Sequence, residues 1–253
     1  MPSIEIVILL LVAGFVGGIF NSMAGGASLV TFPAMLAAGL PPVTANASNT
    51  FAVVFGNITG AWAERKLLPK ATPSIYWAMA VALLGGLLGA WLLVSIPESL
   101  FTISVPALIG FATLIFAFAN VIQVWLAKQV SVAQTGAMRA ILLLPASIYG
   151  GYFGAGLGVI LMAVIRATSP WELRSANAFK NLIGVLTNAT AIAFFIWWGL
   201  ISWPHSVIMV IACIAGGFTG VKLLKVIPAD KVRLVIIAAG CLMTAIYAAK
   251  YWF

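Results

Sequence analysis

Charge is the scarcest commodity in this sequence. Of its 253 residues only 7% are Asp, Glu, Lys or Arg, where a soluble domain carries about 25%. Histidine occurs once, as His205. Cysteine occurs twice, as Cys213 and Cys241, both inside apolar runs and without CxxC spacing. The five acidic residues, Glu5, Glu64, Glu98, Glu172 and Asp230, all fall in expected loops or at segment ends. The chain therefore offers no metal-ligand cluster, no paired carboxylates and no Ser/His/Asp set. It also has no interior carboxylate placed to relay protons or hold a cation. These absences argue against an enzyme and against a cofactor. There is no polar stretch large enough for a separate catalytic or nucleotide-binding domain. The opening residues Met1-Pro2-Ser3-Ile4-Glu5 lack the positive charge of a signal peptide, so the first apolar run reads as a helix.

What is present is apolar: 63% of the residues, with a mean hydropathy of +1.15. Several runs reach the roughly 20 residues that a helix needs to cross a bilayer. The expected class is an all-α polytopic membrane protein with the lipid bilayer as its surroundings. The net charge of +8 does not point to nucleic acid, because the basic residues are scattered over short loops and set topology instead.

The second half of the chain repeats the first. Thr44-Ala45-Asn46-Ala47-Ser48-Asn49-Thr50 returns 131 residues later as Ser175-Ala176-Asn177-Ala178-Phe179-Lys180-Asn181. The same offset carries Asn57 and Thr59 onto Asn188 and Thr190, Pro73 onto Pro204, and Ile96-Pro97 onto Ile227-Pro228. It also carries Gly85, Gly86 and Gly89 onto Gly216, Gly217 and Gly220. Gly17-Gly18-x-Phe20 aligns with Gly150-Gly151-x-Phe153 once two residues are dropped. Duplication of this kind builds many transporters, with the substrate where the copies meet.

Each half divides into five helical segments, at 4–21, 27–39, 43–63, 73–95 and 101–127, then 138–153, 157–168, 174–198, 204–224 and 231–252. The breaks are rich in Gly and Pro. The expected units are a first repeat (1–127), a polar linker (128–137) and a second repeat (138–253). Each repeat would hold a short broken or re-entrant helix pair and three full spans; two complete, tightly joined spans are the alternative for each pair.

The loop charges differ between the copies. Arg65, Lys66 and Lys70 follow the third segment, whose counterpart loop has none; Arg166, Arg174, Lys222, Lys225, Lys231 and Arg233 lie in loops whose first-half counterparts have none. With Lys128 and Arg139, 11 of the 13 basic residues fall on one face. That face is expected to be cytoplasmic, which places both termini outside and inverts one repeat relative to the other. Trp197, Trp198 and Trp203 would form an outer aromatic belt, with Trp62 and Trp171 near the inner one.

Lys180 and Lys250 are the two basic residues outside that set. Lys180 falls inside a span, where a charge is costly and marks a candidate site. Its first-half counterpart is Asn49. Helical spacing puts Asn46, Asn49 and Thr50 on one face, and Asn177, Lys180 and Asn181 on the matching face of the other copy. Gly25, Gly26 and Ser28 open one short helix, and Gly156 and Gly158 open the other. Helix N-termini at mid-membrane suit an anion. The expected site thus comprises Gly25, Gly26, Ser28, Asn46, Asn49, Thr50, Gly156, Gly158, Asn177, Lys180 and Asn181, and the expected ligand is a small anion. Asn57, Thr59, Asn188 and Thr190 divide evenly between this site and interhelical hydrogen bonding. Gly85, Gly86, Gly89 and their copies read as close helix packing.

The run from Met23-Ala24-Gly25-Gly26-Ala27-Ser28 through Phe32-Pro33, followed by Gly39-Leu40-Pro41-Pro42 and Ala45-Asn46-Ala47-Ser48-Asn49-Thr50, resembles the TauE/SafE (sulfite exporter, TSUP) family. Gly154-Ala155-Gly156 and Ala176-Asn177-Ala178 are similar to its second repeat. One departure is that Ala27-Ser28 stands where the family often has a third glycine. The resemblance implies a secondary transporter moving sulfite, sulfonates or related organic anions across a bacterial inner membrane. An uncoupled anion channel, a transporter of a non-sulfur organic anion and a non-transporting receptor or assembly subunit remain as alternatives. A homodimer is admitted as the one protein partner.

Overall fold

The computed structural model describes residues 2–129, 135–223 and 229–253. The central part of the expected linker, Lys225 and the second Ile-Pro pair lie outside the described residues. The described chain folds into eleven α-helices. The first half holds α1 (Ile4–Ala24), α2 (Ser28–Ala37), α3 (Pro42–Ala63), α4 (Pro73–Ser95), α5 (Glu98–Ala117) and α6 (Ala119–Gln129). The second holds α7 (Thr135–Tyr152), α8 (Leu157–Thr168), α9 (Leu173–Trp197), α10 (Trp203–Leu223) and α11 (Ala229–Tyr251).

Local chemistry sets the breaks. Gly25 takes a left-handed φ of 80° at the end of α1, and its N–H closes onto Phe20 and Asn21, as a left-handed C-terminal residue does. Pro42 and Pro73 open α3 and α4 at the position where a missing N–H costs nothing. Six helices, α1, α4, α5, α9, α10 and α11, are long and apolar enough to cross a membrane. In each expected broken pair only the second helix is short: α2 has 10 residues and α8 has 12, whereas α1 has 21.

One expected segment divides. The run 101–127 breaks at Phe118 into α5 and α6. The carbonyls this exposes are satisfied by Arg233 on α11, whose Nε donates to the Phe116 carbonyl at 2.9 Å and whose Nη2 donates to that of Ala117 at 3.1 Å. Helix propensity along the run cannot report a guanidinium arriving from another helix.

Surface and interior reverse the soluble pattern. Ile8, Trp91, Leu114, Ile211 and Leu234 are exposed on the bundle, while Asn46, Ser48, Asn49, Thr187 and Asn188 are buried. In lipid there is no hydrophobic drive to hide the former, and polar side chains turn inward to find partners. Trp197, Trp198 and Trp203 are exposed together around the α9–α10 turn, and Trp62 is exposed at the far end of α3.

The packing exchanges partners between the halves. α1 lies against α10, α4 against α7, and α3 against α9, the pairings a two-fold relation between the repeats generates. Glycines make the close crossings. A side chain at Gly85 would strike Ser147 Cβ on α7, one at Gly89 the Ile148 carbonyl on the same helix, and one at Gly216 the Phe15 carbonyl on α1. These positions are equivalent under the repeat. Small residues let backbones approach to this degree in membrane bundles. Phe32 of α2 and Phe153 of the α7–α8 turn pack edge to face at 5.2 Å.

Candidate functional site

The non-helical turn between α7 and α8 lies inside the bundle, where backbone groups need protein partners. The Tyr149 hydroxyl donates to the Ala155 carbonyl at 2.6 Å, and Asn46 Nδ2 donates to that of Tyr152 at 2.9 Å. Gly154 and Gly156 hold φ of 76° and 79° in the turn. On the other side, Asn49 joins α3 to α2: its Oδ1 accepts from the Thr31 hydroxyl and its Nδ2 donates to Ser28 Oγ at 3.3 Å. The α2 helix and the end of α7 are thereby held from α3, and the N-termini of both short helices lie beside a central cavity of about 550 Å³.

The cavity occupies one end of the bundle. Its walls are the C-terminal parts of α1, α3 and α10, the N-terminal half of α9, and the openings of α2 and α8. Ser28, Gly25 and Gly158 contribute to its lining, as do Ala63, Glu64 and Lys222. Thr50, Asn177, Lys180 and Asn181 also line it. Two lysines and one carboxylate give the space a net positive charge, surrounded by amides. Gly60 leaves room for Asn181, since a side chain there would strike the Asn181 amide.

Seven of the eleven expected residues thus share this space: Gly25, Ser28, Thr50, Gly158, Asn177, Lys180 and Asn181. The other four stand behind the wall. Asn46 and Asn49 are each 1% exposed and tie the short-helix segments in place. Gly26 packs toward Ile236 and Phe116, and Gly156 lies against α5. For Asn49 this has a measurable consequence. Asn49→Ala removes the acceptor for Thr31 and the donor to Ser28, at about 1–3 kcal/mol. The midpoint of thermal unfolding in detergent is expected to fall; an unchanged midpoint contradicts that role.

Several lining residues escaped the sequence reading. Glu64 sits at the C-terminal end of α3, as its position suggests, yet its Oε2 accepts from Asn177 Nδ2 at 2.7 Å inside the cavity wall. A carboxylate therefore shares the space with Lys180, contrary to the expectation that none would. Lys222, expected only as a topology-setting loop charge, lines it too. So do Asn21 and Ser22 at the end of α1, beside the Gly25-Gly26 break that was the available signal. Of the four evenly divided residues, Asn57, Thr59 and Asn188 line the cavity, while the Thr190 hydroxyl donates to the Leu83 carbonyl of α4.

The far end of the bundle is closed. The Ser202 N–H donates to Ser48 Oγ at 2.9 Å, and Phe51 packs edge to face on Trp203. A membrane-embedded helical bundle with a cavity at one end that carries two lysines and several amides on largely apolar walls, and with packed side chains at the other end, has the build of a membrane transporter. The chain belongs to the family described as Sulfite exporter TauE/SafE, whose pattern matches residues 10–247.

Relatives carry similarly general names. A Haemophilus influenzae protein named "Probable membrane transporter protein" is 26% identical over 96% of this chain and 94% of its own length. "Probable membrane transporter protein ORF9" of a Sinorhizobium species is 27% identical over 83% of this chain and 80% of its own. "Probable membrane transporter protein YfcA" of Escherichia coli K12 is 23% identical over 90% of this chain and 84% of its own. No solved structure matches the chain.

Proposed function

We propose that this protein is a secondary transporter of a small sulfur-containing oxyanion, sulfite or an organosulfonate, bound in the central cavity and moved by alternating access. Lys180 supplies charge to the anion. Ser28, Asn177 and Asn181 supply donors, with the first turns of α2 and α8 facing the same space. The Lys/Arg-rich end, toward which the cavity extends, is cytoplasmic in a bacterial inner membrane, and both termini lie outside. The repeats are inverted about an axis in the membrane plane. No cofactor takes part.

The observation that carries this reading is an asymmetry between equivalent glycines. A side chain at Gly86 on α4 would strike the Thr187 carbonyl of α9. Its repeat equivalent, Gly217 on α10, has nothing within 4 Å, and Gly56, the equivalent of Thr187, faces the cavity with it. One crossing is shut and its counterpart is open. Inverted repeats that exchange these two arrangements would present the cavity to the other side.

Flux into proteoliposomes of the purified chain tests the reading. Saturable uptake of sulfite or a sulfonate, driven uphill by a proton or voltage gradient, is the expected result. Dissipative flux alone would assign an uncoupled channel. Uptake of carboxylates but not sulfur oxyanions would move the substrate class. Absence of all flux would remove transport by the chain alone.

A further inference from the structure

A second hollow, of about 490 Å³, lies apart from the cavity at the same Lys/Arg-rich end. It is bounded by the segment leading into α4, the start of α7, the α8–α9 turn and the start of α9. At its base is Arg139, only 5% exposed. Its Nη2 donates to the Thr168 carbonyl at 2.9 Å, its Nη1 is 3.5 Å from Ser74 Oγ, and its guanidinium lies 4.6 Å from the centre of the Trp171 ring. Its Nε is buried with no partner. A buried cation with an unspent donor is unfavourable unless something completes it.

The surroundings are complementary to an anion. Lys70, exposed, lines the hollow, as do three hydroxyl residues, Thr72, Ser74 and Ser175. Thr72 occupies the N-cap of α4 without its side chain capping the helix, so that hydroxyl is also unspent. Ser74 and Ser175 belong to the first turns of α4 and α9, where the helix dipoles favour negative charge. Gly136 keeps the space open, since a side chain there would approach Ser74 Oγ at 3.1 Å. None of the described residues lining the hollow is acidic.

We propose that this hollow binds a phosphate group, independently of the transported anion. Two cations and three hydroxyls without a competing carboxylate match the several acceptor oxygens of a phosphate, and Arg matches its geometry better than any other side chain. The group can arrive on a phospholipid headgroup or as a free phosphate, because the hollow is at the end of the bundle where headgroups and solvent meet. Ser175 is two residues before Asn177 on the same helix, so an occupant steadies the start of the helix that carries Lys180.

The purified full chain in a maltoside detergent serves for the test. Inorganic phosphate and glycerol 3-phosphate are titrated by thermal shift, and phosphatidylglycerol is compared with a phosphate-free glucosyl diacylglycerol by native mass spectrometry. Lys70→Ala combined with Ser74→Ala, both at the edge of the hollow, is expected to weaken binding by about tenfold. Lys180→Ala is expected to leave it unchanged. Stabilisation by the soluble phosphates, lost in the double variant, identifies a free phosphate. Preferential retention of phosphatidylglycerol, lost in the same variant, identifies a headgroup. Binding that is absent, or equal in wild type and double variant, overturns the proposal. Binding lost in Lys180→Ala alone also overturns it, and places the phosphate in the central cavity.

Discussion

Lys180→Ala should lower substrate affinity and uptake by about 10- to 100-fold, the range for losing a charged hydrogen-bond donor in a secluded site. Lys180 lines the central cavity with Thr50, Asn177 and Asn181. Its counter-charge, Glu64, is engaged by the Asn177 amide. Removing the lysine leaves that carboxylate facing the anion with only Lys222 to offset it. Lys180→Arg should recover part of the binding, since it keeps the charge but not the point geometry. Affinity and flux measured together decide the matter. Unchanged affinity in Lys180→Ala would sink the lysine as an anion ligand, whatever happens to flux.

Leucine at Gly86 and leucine at Gly217 should have opposite consequences, although the two positions are equivalent in the repeat. At Gly86 the new side chain meets the Thr187 backbone, which cannot rotate away. Forced overpacking of that kind costs about 1–3 kcal/mol or more, so the unfolding midpoint falls. At Gly217 there is open space, and the protein should fold with little change in midpoint. The leucine then obstructs closure of α10 onto α3, and flux should fall by about tenfold or more, as an added 1.4 kcal/mol or greater penalty on the closed arrangement requires. Equal loss of stability at the two sites would contradict the exchange of open and shut crossings. Normal flux in a stable Gly217→Leu variant would do the same.

The expected site and the cavity overlap without coinciding, and the difference has a specific origin. Helical spacing correctly places Asn46 and Asn49 with Thr50 on adjacent turns of α3. It says nothing of what lies opposite. Asn49 faces α2, whose hydroxyls occupy its amide, and Asn46 Nδ2 is taken by the carbonyl of Tyr152 at the end of α7. Thr50 lines the cavity, with its hydroxyl spent on the Asn46 carbonyl, whereas Asn181 carries its amide into the space. Glu64 was passed over because a residue at a helix end ordinarily meets water or headgroups. Here the end of α3 packs beside α9, and the carboxylate turns to Asn177. The break at Phe118 was invisible for a similar reason, since Arg233 that satisfies it is 115 residues away.

The sequence alone determined the membrane class, the duplication and nearly every helix. These follow from hydropathy, from a fixed offset between copies and from Gly and Pro at the breaks, all of which act locally or within one register of the chain. It also singled out Lys180, because a charge in an apolar span is conspicuous by itself. Only the tertiary structure decided which polar residues are spent on backbone and which are free to meet a ligand. It alone brought Glu64 and Lys222 beside Lys180, and it alone made equivalent glycines unequal. Those outcomes depend on how close one helix comes to another, a quantity that equivalent positions of the two repeats do not share.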